Sequence, residues 1–199
     1  MLVTGVGLGH AFRARSPLFQ GLNFRLESGD LVAIRGSSGS GKSTLLSILA
    51  GWIKPSEGRV EVSLVPSITW VPQNPFGVAR RTVLDHVALP LIAQGETRTD
   101  AEVHAADVLA AFHLDHTSRR EFSQLSGGEA QRLMLARAVV SGAQLVLVDE
   151  PTAQLDPHSA QSVIDVLGKM AGAGRVVVVA THDTRVANAC TSELLLGNP

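Results

Sequence analysis

Short, almost continuous hydrophobic runs recur along the chain, each bounded by polar residues or glycine. Three of them are LVAIR from Leu31, LVLVD from Leu145 and RVVVVA from Arg175. Runs with a helical spacing of apolar residues follow at KSTLLSILAG from Lys42, PHSAQSVIDVLGKM from Pro157 and TRVANAC from Thr184. Continuous apolar runs are typical of parallel strands that are buried on both faces. Their alternation with helices predicts an α/β fold, with a mainly parallel sheet flanked by helices.

Two segments depart from this alternation. Between about residues 82 and 122, the runs TVLDHVALPLI and DAEVHAADVLAAFHL have helical spacing, and no convincing strand interrupts them. Nearer the start, LNFRLESGDLVAI alternates on either side of the turn SGD and predicts an antiparallel hairpin. We therefore expect one domain over residues 1–199, with an antiparallel β lobe within about 1–72, an inserted α-helical subdomain at about 74–128 and the parallel-sheet core in the remainder.

The amino-acid composition limits the kinds of molecule that the chain is expected to bind. Charged residues make up 18% of the sequence, the formal net charge is −1 and the isoelectric point is near 6.6. Because general nucleic-acid binding depends on a basic surface that neutralises phosphates, we expect no direct binding of nucleic acid. The single cysteine, Cys190, is compatible with a reducing compartment. No secretory signal is expected, and the apolar runs are far shorter than the roughly 20 residues of a membrane-spanning helix.

The segment GSSGSGKST follows the predicted strand LVAIR directly and precedes an apolar-periodic helix. It satisfies the P-loop pattern G-x-x-x-x-G-K-[ST] in the context that the pattern requires. Its glycines allow backbone N–H groups to turn inward around an anion, while the helix directs its positive dipole end at the same place. A flexible Gly/Ser turn is the alternative, and the flanking strand and helix argue against it. The predicted phosphate cradle consists of Gly36, Ser37, Ser38, Gly39, Ser40, Gly41, Lys42, Ser43 and Thr44.

Within this cradle, Lys42 is expected to reach the β- and γ-phosphates, and Ser43 to bind Mg²⁺ through its hydroxyl. A strand that ends in carboxylates completes such a site, and LVLVDE supplies Asp149 and Glu150. We expect Asp149 to hold Mg²⁺, and Glu150 to orient or deprotonate the water that attacks the γ-phosphate. An acidic pair at a strand end can also be merely solvated, but its pairing with the cradle favours the catalytic interpretation.

A second candidate cradle lies in LSGGEAQR, which starts at Leu125. Ser126, Gly127 and Gly128 come directly before a helical run that begins near Glu129, so they combine free backbone N–H groups, a hydroxyl and a helix N-terminus. All three features suit a γ-phosphate. Since one nucleotide already has its cradle, the economical arrangement is a head-to-tail homodimer in which each chain completes the site of the other.

LSGGEAQR resembles the signature sequence of ATP-binding cassette (ABC) ATPases, and the order of all the motifs is similar to that family over essentially the whole chain. The resemblance implies that Phe12 stacks on adenine, that Gln73 in WVPQNP senses Mg²⁺ and the attacking water, and that His182 in VATHD contacts the γ-phosphate. It also implies that Asp156, which ends the D-loop AQLD, lies at the dimer seam. Gln154 departs from the small residue that is usual in this loop, so communication between the two sites is expected to differ.

The resemblance further implies an ATPase that binds ATP and Mg²⁺ and drives a separate transmembrane permease. It is similar to the MacB-like group, which includes lipoprotein-release, macrolide-efflux and haem-export cassettes. The chain would then lie at the cytoplasmic face of the membrane, docked through the helix in TVLDHVALPLI, although part of that helix must also be core. The alternative is a soluble ABC-type ATPase that acts on nucleic acid or the ribosome. Between Val60 and Gln73 the chain is shorter than is usual in the family, so the antiparallel lobe is expected to be trimmed.

Overall fold

The computed structural model describes residues 1–12, 16–63, 67–153 and 155–197. The strands are β1 (Leu2–His10), β2 (Phe19–Glu27), β3 (Leu31–Arg35), β4 (Glu57–Val62), β5 (Ile68–Val71), β6 (Leu145–Asp149), β7 (Val176–Ala180) and β8 (Ser192–Leu195). The helices are α1 (Lys42–Leu49), α2 (Val83–Ala93), α3 (Arg98–Ala111), α4 (Gly127–Val140), α5 (Pro157–Gly172) and α6 (Thr184–Asn188). Two short 3₁₀ turns cover Asp115–Thr117 and Phe122–Gln124.

The strands form two sheets. One has the order β5-β6-β7-β3-β8, and its pairs β3–β7, β3–β8 and β6–β7 are parallel. The other has the order β2-β1-β4, and both of its pairs are antiparallel. The three continuous apolar runs of the sequence are β3, β6 and β7, and every residue of β6 and β7 is buried. The α/β fold with an additional antiparallel sheet is therefore confirmed.

The predicted hairpin around SGD is wrong. The strand before this turn, β2, pairs with β1, whereas the strand after it, β3, pairs with β7 and β8 in the other sheet. The turn at Ser28 and Gly29 thus passes the chain from one sheet to the other. The two strands also differ in burial, because β2 alternates from Gly21 onward between exposed and at least partly buried positions, while the first four residues of β3 are all buried.

The chain divides into two compact units. The first comprises Met1–Trp70, Ala143–Glu150 and Ile164–Pro199. Its hydrophobic core combines side chains from β1 and β2 with side chains from β3, β6, β7 and α1, so both sheets share one core. Burial of this apolar surface stabilises the unit by roughly 25 cal/mol for each Å² removed from water.

The second unit comprises Val71–Gly142 and Pro151–Val163. Its first two helices, α2 and α3, are the two that the sequence predicts between residues 82 and 122. Each begins at a threonine cap: Thr82 Oγ1 accepts a hydrogen bond from Asp85 N at 3.1 Å, and Thr97 Oγ1 accepts one from Asp100 N at 3.2 Å. Four apolar residues of α2 are buried, namely Val83, Val87, Ala88 and Leu91, whereas Leu89 is 38% exposed. Among the described residues, no helix is both long and apolar enough to cross a bilayer.

Candidate functional site

The loop between β3 and α1 has the backbone of a phosphate cradle. Gly39 and Gly41 adopt left-handed φ angles of 82° and 95°, which side chains other than glycine rarely adopt. The Lys42 side chain folds back over the loop, and its Nζ donates hydrogen bonds to the carbonyl oxygens of Gly36 at 3.0 Å and Ser37 at 3.2 Å. These two hydrogen bonds hold the Lys42 ammonium group over the loop.

A buried hydroxyl inside the loop supports this reading. Ser40 is 1% exposed, and its Oγ has no hydrogen-bond partner among the residues that the structure describes. A buried hydroxyl without a partner carries a free-energy cost, which a phosphate oxygen would remove. The space around it is tight, since a Cβ added at Gly36 would lie 2.4 Å from Ser40 Oγ and 2.7 Å from the Leu196 carbonyl oxygen. Glycine is therefore required at position 36 to keep the loop closed.

Asp149 ends β6 and is hydrogen-bonded to the Ser43 hydroxyl at the start of α1. Burial raises the pKa of Asp149, and the neighbouring Glu150 charge raises it further, while the Ser43 hydrogen bond and the Lys42 charge oppose the shift. The described residues contain no group of three or more His, Cys, Asp or Glu side chains that could hold a metal ion. One hydroxyl and one carboxylate are what a phosphate-bound Mg²⁺ uses, because it keeps waters and takes its other ligands from the nucleotide. These residues fit Mg²⁺ in that mode.

Glu150 follows Asp149 in an unusual conformation. Its φ is 48°, in the left-handed region, and the residue is only 8% exposed. Its backbone N–H donates to the Ala180 carbonyl at 2.9 Å, and its Oε2 lies 2.8 Å from Nδ1 of His182 and accepts a hydrogen bond from His182 N at 3.3 Å. The adjacent parallel strands β6 and β7 produce this pair, since Asp149 is opposite Ala180 in the register. The sequence predicts roles for both residues but not their contact.

Phe12 lies just beyond the end of β1 and is 47% exposed. Its ring packs edge-to-face with the His10 ring, with 4.9 Å between the centroids and 83° between the planes. An exposed aromatic ring held by a neighbour on one side offers a surface on which a base can stack.

In the second unit, Ser126 caps α4. Its Oγ accepts a hydrogen bond from Glu129 N at 3.3 Å, and Glu129 Oε2 accepts one from Ser126 N at 2.7 Å, which is a complete capping box. Gly127 and Gly128 form the first turn of the helix, two residues earlier than the sequence predicts. The helix N-terminus therefore carries the serine hydroxyl and the glycine N–H groups that the second cradle requires.

Two basic side chains beside this cap were not foreseen. Arg120 Nη1 lies 3.3 Å from Glu129 Oε1, and His116 Nε2 lies 3.8 Å from the same oxygen. Arg120 Nη2 also donates to the Gln124 carbonyl. Burial acts to raise the pKa of Glu129, but hydrogen bonds from Ser126 and the charges of Arg120 and His116 outweigh it, so the pKa is lowered. The only sequence signal was a basic pair, Arg119 and Arg120, ahead of the signature.

Gln73 follows β5 in a loop of the second unit and is exposed. Asp156 lies directly before α5, and it accepts hydrogen bonds from Ser159 Oγ at 2.6 Å, Ser159 N at 3.1 Å and His158 N at 3.0 Å. The Ser159 hydroxyl is the main cause that lowers the pKa of Asp156 to about 2. Asp156 is thus a helix-capping carboxylate. Gln154, which was expected to alter the D-loop, lies outside the described residues.

Residues 19–153 match the family model described as ABC transporter. The molybdate import ATP-binding protein MolC of Haemophilus influenzae is 38% identical, over 96% of this chain and 77% of that protein. The lipoprotein-releasing system ATP-binding protein LolD of Hydrogenovibrio crunogenus is 37% identical, over 88% of this chain and 83% of that protein. The macrolide export ATP-binding/permease protein MacB of Nitrosomonas europaea is 35% identical, but the chain spans only 28% of its length.

Solved structures of ABC cassettes also superpose on this chain. The ATP-binding cassette MJ0796, in a dimeric post-hydrolysis state bound to ADP and Pi, superposes with a TM-score of 0.88 at 28% identity, over 98% of this chain and 94% of that one. An inward-facing ABC transporter of the metal-chelate type superposes with a TM-score of 0.82 at 34% identity, over 98% of this chain and 80% of that one. The predicted similarity to lipoprotein-release and macrolide-export cassettes is therefore confirmed, and a molybdate importer is similar as well. The chain belongs to the ABC transporter family, as a cassette subunit that binds and hydrolyses ATP.

Proposed function

We propose that two copies of the chain close head to tail around two Mg-ATP molecules and thereby drive a separate transmembrane permease. The observation that carries the proposal is one edge of the first unit, where five side chains lie close together at the ends of neighbouring strands: Lys42, Ser43, Asp149, Glu150 and His182. Relatives named as import, releasing and export ATP-binding proteins support the link to a permease.

Phosphate binding would replace hydrogen bonds within the loop by hydrogen bonds to phosphate oxygens. Lys42 would trade the carbonyls of Gly36 and Ser37 for phosphate oxygens, and the Ser40 hydroxyl would gain its missing partner. Ser43 and Asp149 would hold Mg²⁺, which neutralises charge on the β- and γ-phosphates when bound. Glu150 would accept a hydrogen bond from the attacking water and orient it, and Gln73 would contribute from its loop.

His182 contributes in two ways. Its contact with Glu150 fixes the carboxylate that faces the water, and its exposed ring is free to reach the γ-phosphate. Protein groups that are ordered before the reaction stabilise developing charge without reorganising, so the prearranged pair favours hydrolysis.

The second copy would contribute Ser126, Gly127 and Gly128. A hydroxyl has one proton and two acceptor lone pairs, and Ser126 Oγ uses a lone pair on Glu129 N. Its proton therefore remains available for a γ-phosphate oxygen. Asp156 would lie at the same seam. Hydrolysis removes the phosphate that both chains hold, so the two cassettes separate and the permease changes state.

We further propose that the permease is an exporter of the MacB-like group, which would place the chain at the cytoplasmic face of the membrane. The names of the releasing and export relatives support this direction. Import is the second candidate, because the molybdate import relative is the most similar of the three by identity. A soluble ATPase acting on nucleic acid is disfavoured by the net charge of −1.

The test uses Glu150→Gln, which keeps the size of the side chain and removes its basicity. We expect this variant to bind Mg-ATP, to elute as a dimer and to hydrolyse ATP about 10²- to 10⁴-fold more slowly, the usual contribution of a general base. Lys42→Ala is the control, which should remain monomeric at the same ATP concentration. Fast phosphate release by Glu150→Gln would show that another residue positions the water.

The tagged Glu150→Gln chain is then used with Mg-ATP to capture partners from detergent-solubilised native membranes. Capture of a permease with a large extracytoplasmic domain would support export. Capture of a permease together with a solute-binding protein would support import. Recovery of ribosomal or DNA-repair proteins without any permease would overturn the transporter proposal.

A further inference from the structure

The segment that carries Phe12 is fixed by one serine from elsewhere in the chain. Ser56 precedes β4, and its hydroxyl accepts a hydrogen bond from Ala11 N and donates one to Ala11 O, both at 3.1 Å. Its backbone N–H donates to the Gly9 carbonyl at 3.0 Å. Ser56 thus holds the chain on both sides of His10 and immediately before Phe12.

The same hydroxyl also contacts His10. Ser56 Oγ lies 3.4 Å from Nδ1 of His10. Nε2 is buried and has no partner within the described ranges. The His10 ring is therefore held at one edge by Ser56 and packs nearly perpendicular to the Phe12 ring.

This arrangement is tied to the phosphate cradle by two routes. Ser56 lies six residues beyond Ala50, the C-cap of α1, which begins at Lys42 in the cradle. The carbonyl of His10 accepts a hydrogen bond from Leu18 N at 2.8 Å, and Leu18 in turn packs against the cradle, where a Cβ at Gly41 would lie 3.0 Å from Leu18 Cβ. The connections through Ser56 and through Leu18 thus fix the position of the Phe12 ring relative to the phosphate cradle.

We propose that Ser56 and His10 are positioning residues that set the affinity for the nucleobase by holding Phe12 at a fixed place relative to the phosphate cradle. The inference rests on the proposed role of Phe12 as the adenine platform. It follows from the bonding pattern, since no other described residue gives Ala11 a side-chain hydrogen bond. An aromatic platform that moves loses part of its stacking energy when it is ordered on binding.

The test compares binding of ATP with binding of inorganic tripolyphosphate, which has the phosphates without the base. We expect Ser56→Ala to raise the Kd for ATP roughly five-fold, the factor that one net hydrogen bond contributes, and to leave the Kd for tripolyphosphate unchanged. Ser56→Thr keeps the hydroxyl and should restore ATP affinity. In turnover, Ser56→Ala should raise KM and leave kcat unchanged.

The matched control is Ser63→Ala. Ser63 Oγ accepts a hydrogen bond from Leu2 N at 3.0 Å, so it holds the opposite end of the same strand β1. Its loss should destabilise the sheet in a similar way without altering either Kd. A rise in the ATP Kd of Ser63→Ala equal to that of Ser56→Ala would attribute the effect to the sheet and overturn the inference.

Phe12→Ala separates the inference from the function on which it rests. If this variant binds ATP as well as the unaltered chain does, the adenine platform itself is wrong. If Phe12→Ala loses ATP affinity and Ser56→Ala does not, the platform stands and the positioning role is refuted. Equal loss of ATP and tripolyphosphate affinity in Ser56→Ala would also refute it, because the defect would then lie in the cradle.

Discussion

Gly36→Ala tests whether the closed loop depends on the missing side chain at this position. The added Cβ would lie 2.4 Å from Ser40 Oγ and 2.7 Å from the Leu196 carbonyl oxygen. Both distances are shorter than the 3.0 Å below which Cβ atoms in proteins essentially never approach another heavy atom. Ser40 is buried, and Leu196 is anchored by a hydrogen bond from its N–H to the Arg35 carbonyl at 2.7 Å. Neither neighbour can yield without disturbing the loop or the end of β8.

Forced overpacking of this kind costs about 1–3 kcal/mol. For a chain of this size, each kcal/mol lowers the melting temperature by about 2–4 °C, so a fall of roughly 2–12 °C is expected. Because the clash acts on Ser40 inside the cradle, affinity for ATP should fall as well. Both quantities can be followed on one sample, by thermal unfolding with and without Mg-ATP.

Gly168→Ala is the matched control. Gly168 lies within α5, and a Cβ there would meet nothing within 4 Å, so the substitution should stabilise the chain by about 0.5–1 kcal/mol. If Gly36→Ala melts at the temperature of the unaltered chain and binds ATP equally well, the loop has room that the structure does not show. The steric argument would then be refuted.

Two aspartates should contribute to the free energy of unfolding with pH dependences of opposite sign. Because the pKa of Asp149 is raised by burial, its ionised form opposes folding at neutral pH, so Asp149→Asn should be more stable than the unaltered chain at pH 7; urea titrations should show this advantage shrinking as the pH falls through the raised pKa. Asp156, whose pKa is lowered to about 2, stabilises the fold above the ordinary aspartate pKa of about 4 and loses this contribution as the pH falls towards 2. Asp156→Asn should therefore be less stable at pH 7, and a constant difference from the unaltered chain down to pH 2 would contradict the assignment.

The parts of the site that are local in sequence could be predicted. The cradle from Gly36 to Thr44 is one strand–loop–helix unit, so its pattern and its position in the fold are read from the same stretch. The signature helix was predicted for a similar reason, although its start is two residues earlier because Ser126 already caps it. Capping geometry depends on the serine and on the glutamate three residues later, which the sequence does contain.

Contacts between distant segments could not be predicted in the same way. The alternating pattern of β2 indicates a strand but not its partner, which is why the hairpin around SGD was assigned wrongly. The contact between Glu150 and His182 requires the pairing of β6 with β7, and the hold of Ser56 on Ala11 requires that of β1 with β4. Each depends on which strands become neighbours, and hydrophobic periodicity does not encode that choice.

The register of β7 has a consequence for how the active edge is specified. The run VVVVA is buried on both faces, so sliding it by one residue would still fill four of its five places with Val or Ala, while Thr181 would enter the place of Ala180. The hydrophobic effect therefore distinguishes the two alignments only weakly. A slip of one position would, however, bring Asp183 to the place of His182 and set a carboxylate against Glu150. Like charges in a low-dielectric site repel, so the pairing of Glu150 with His182, which we propose serves hydrolysis, also penalises the misaligned sheet. The residues that follow β7 thus favour the register that its apolar interior does not determine.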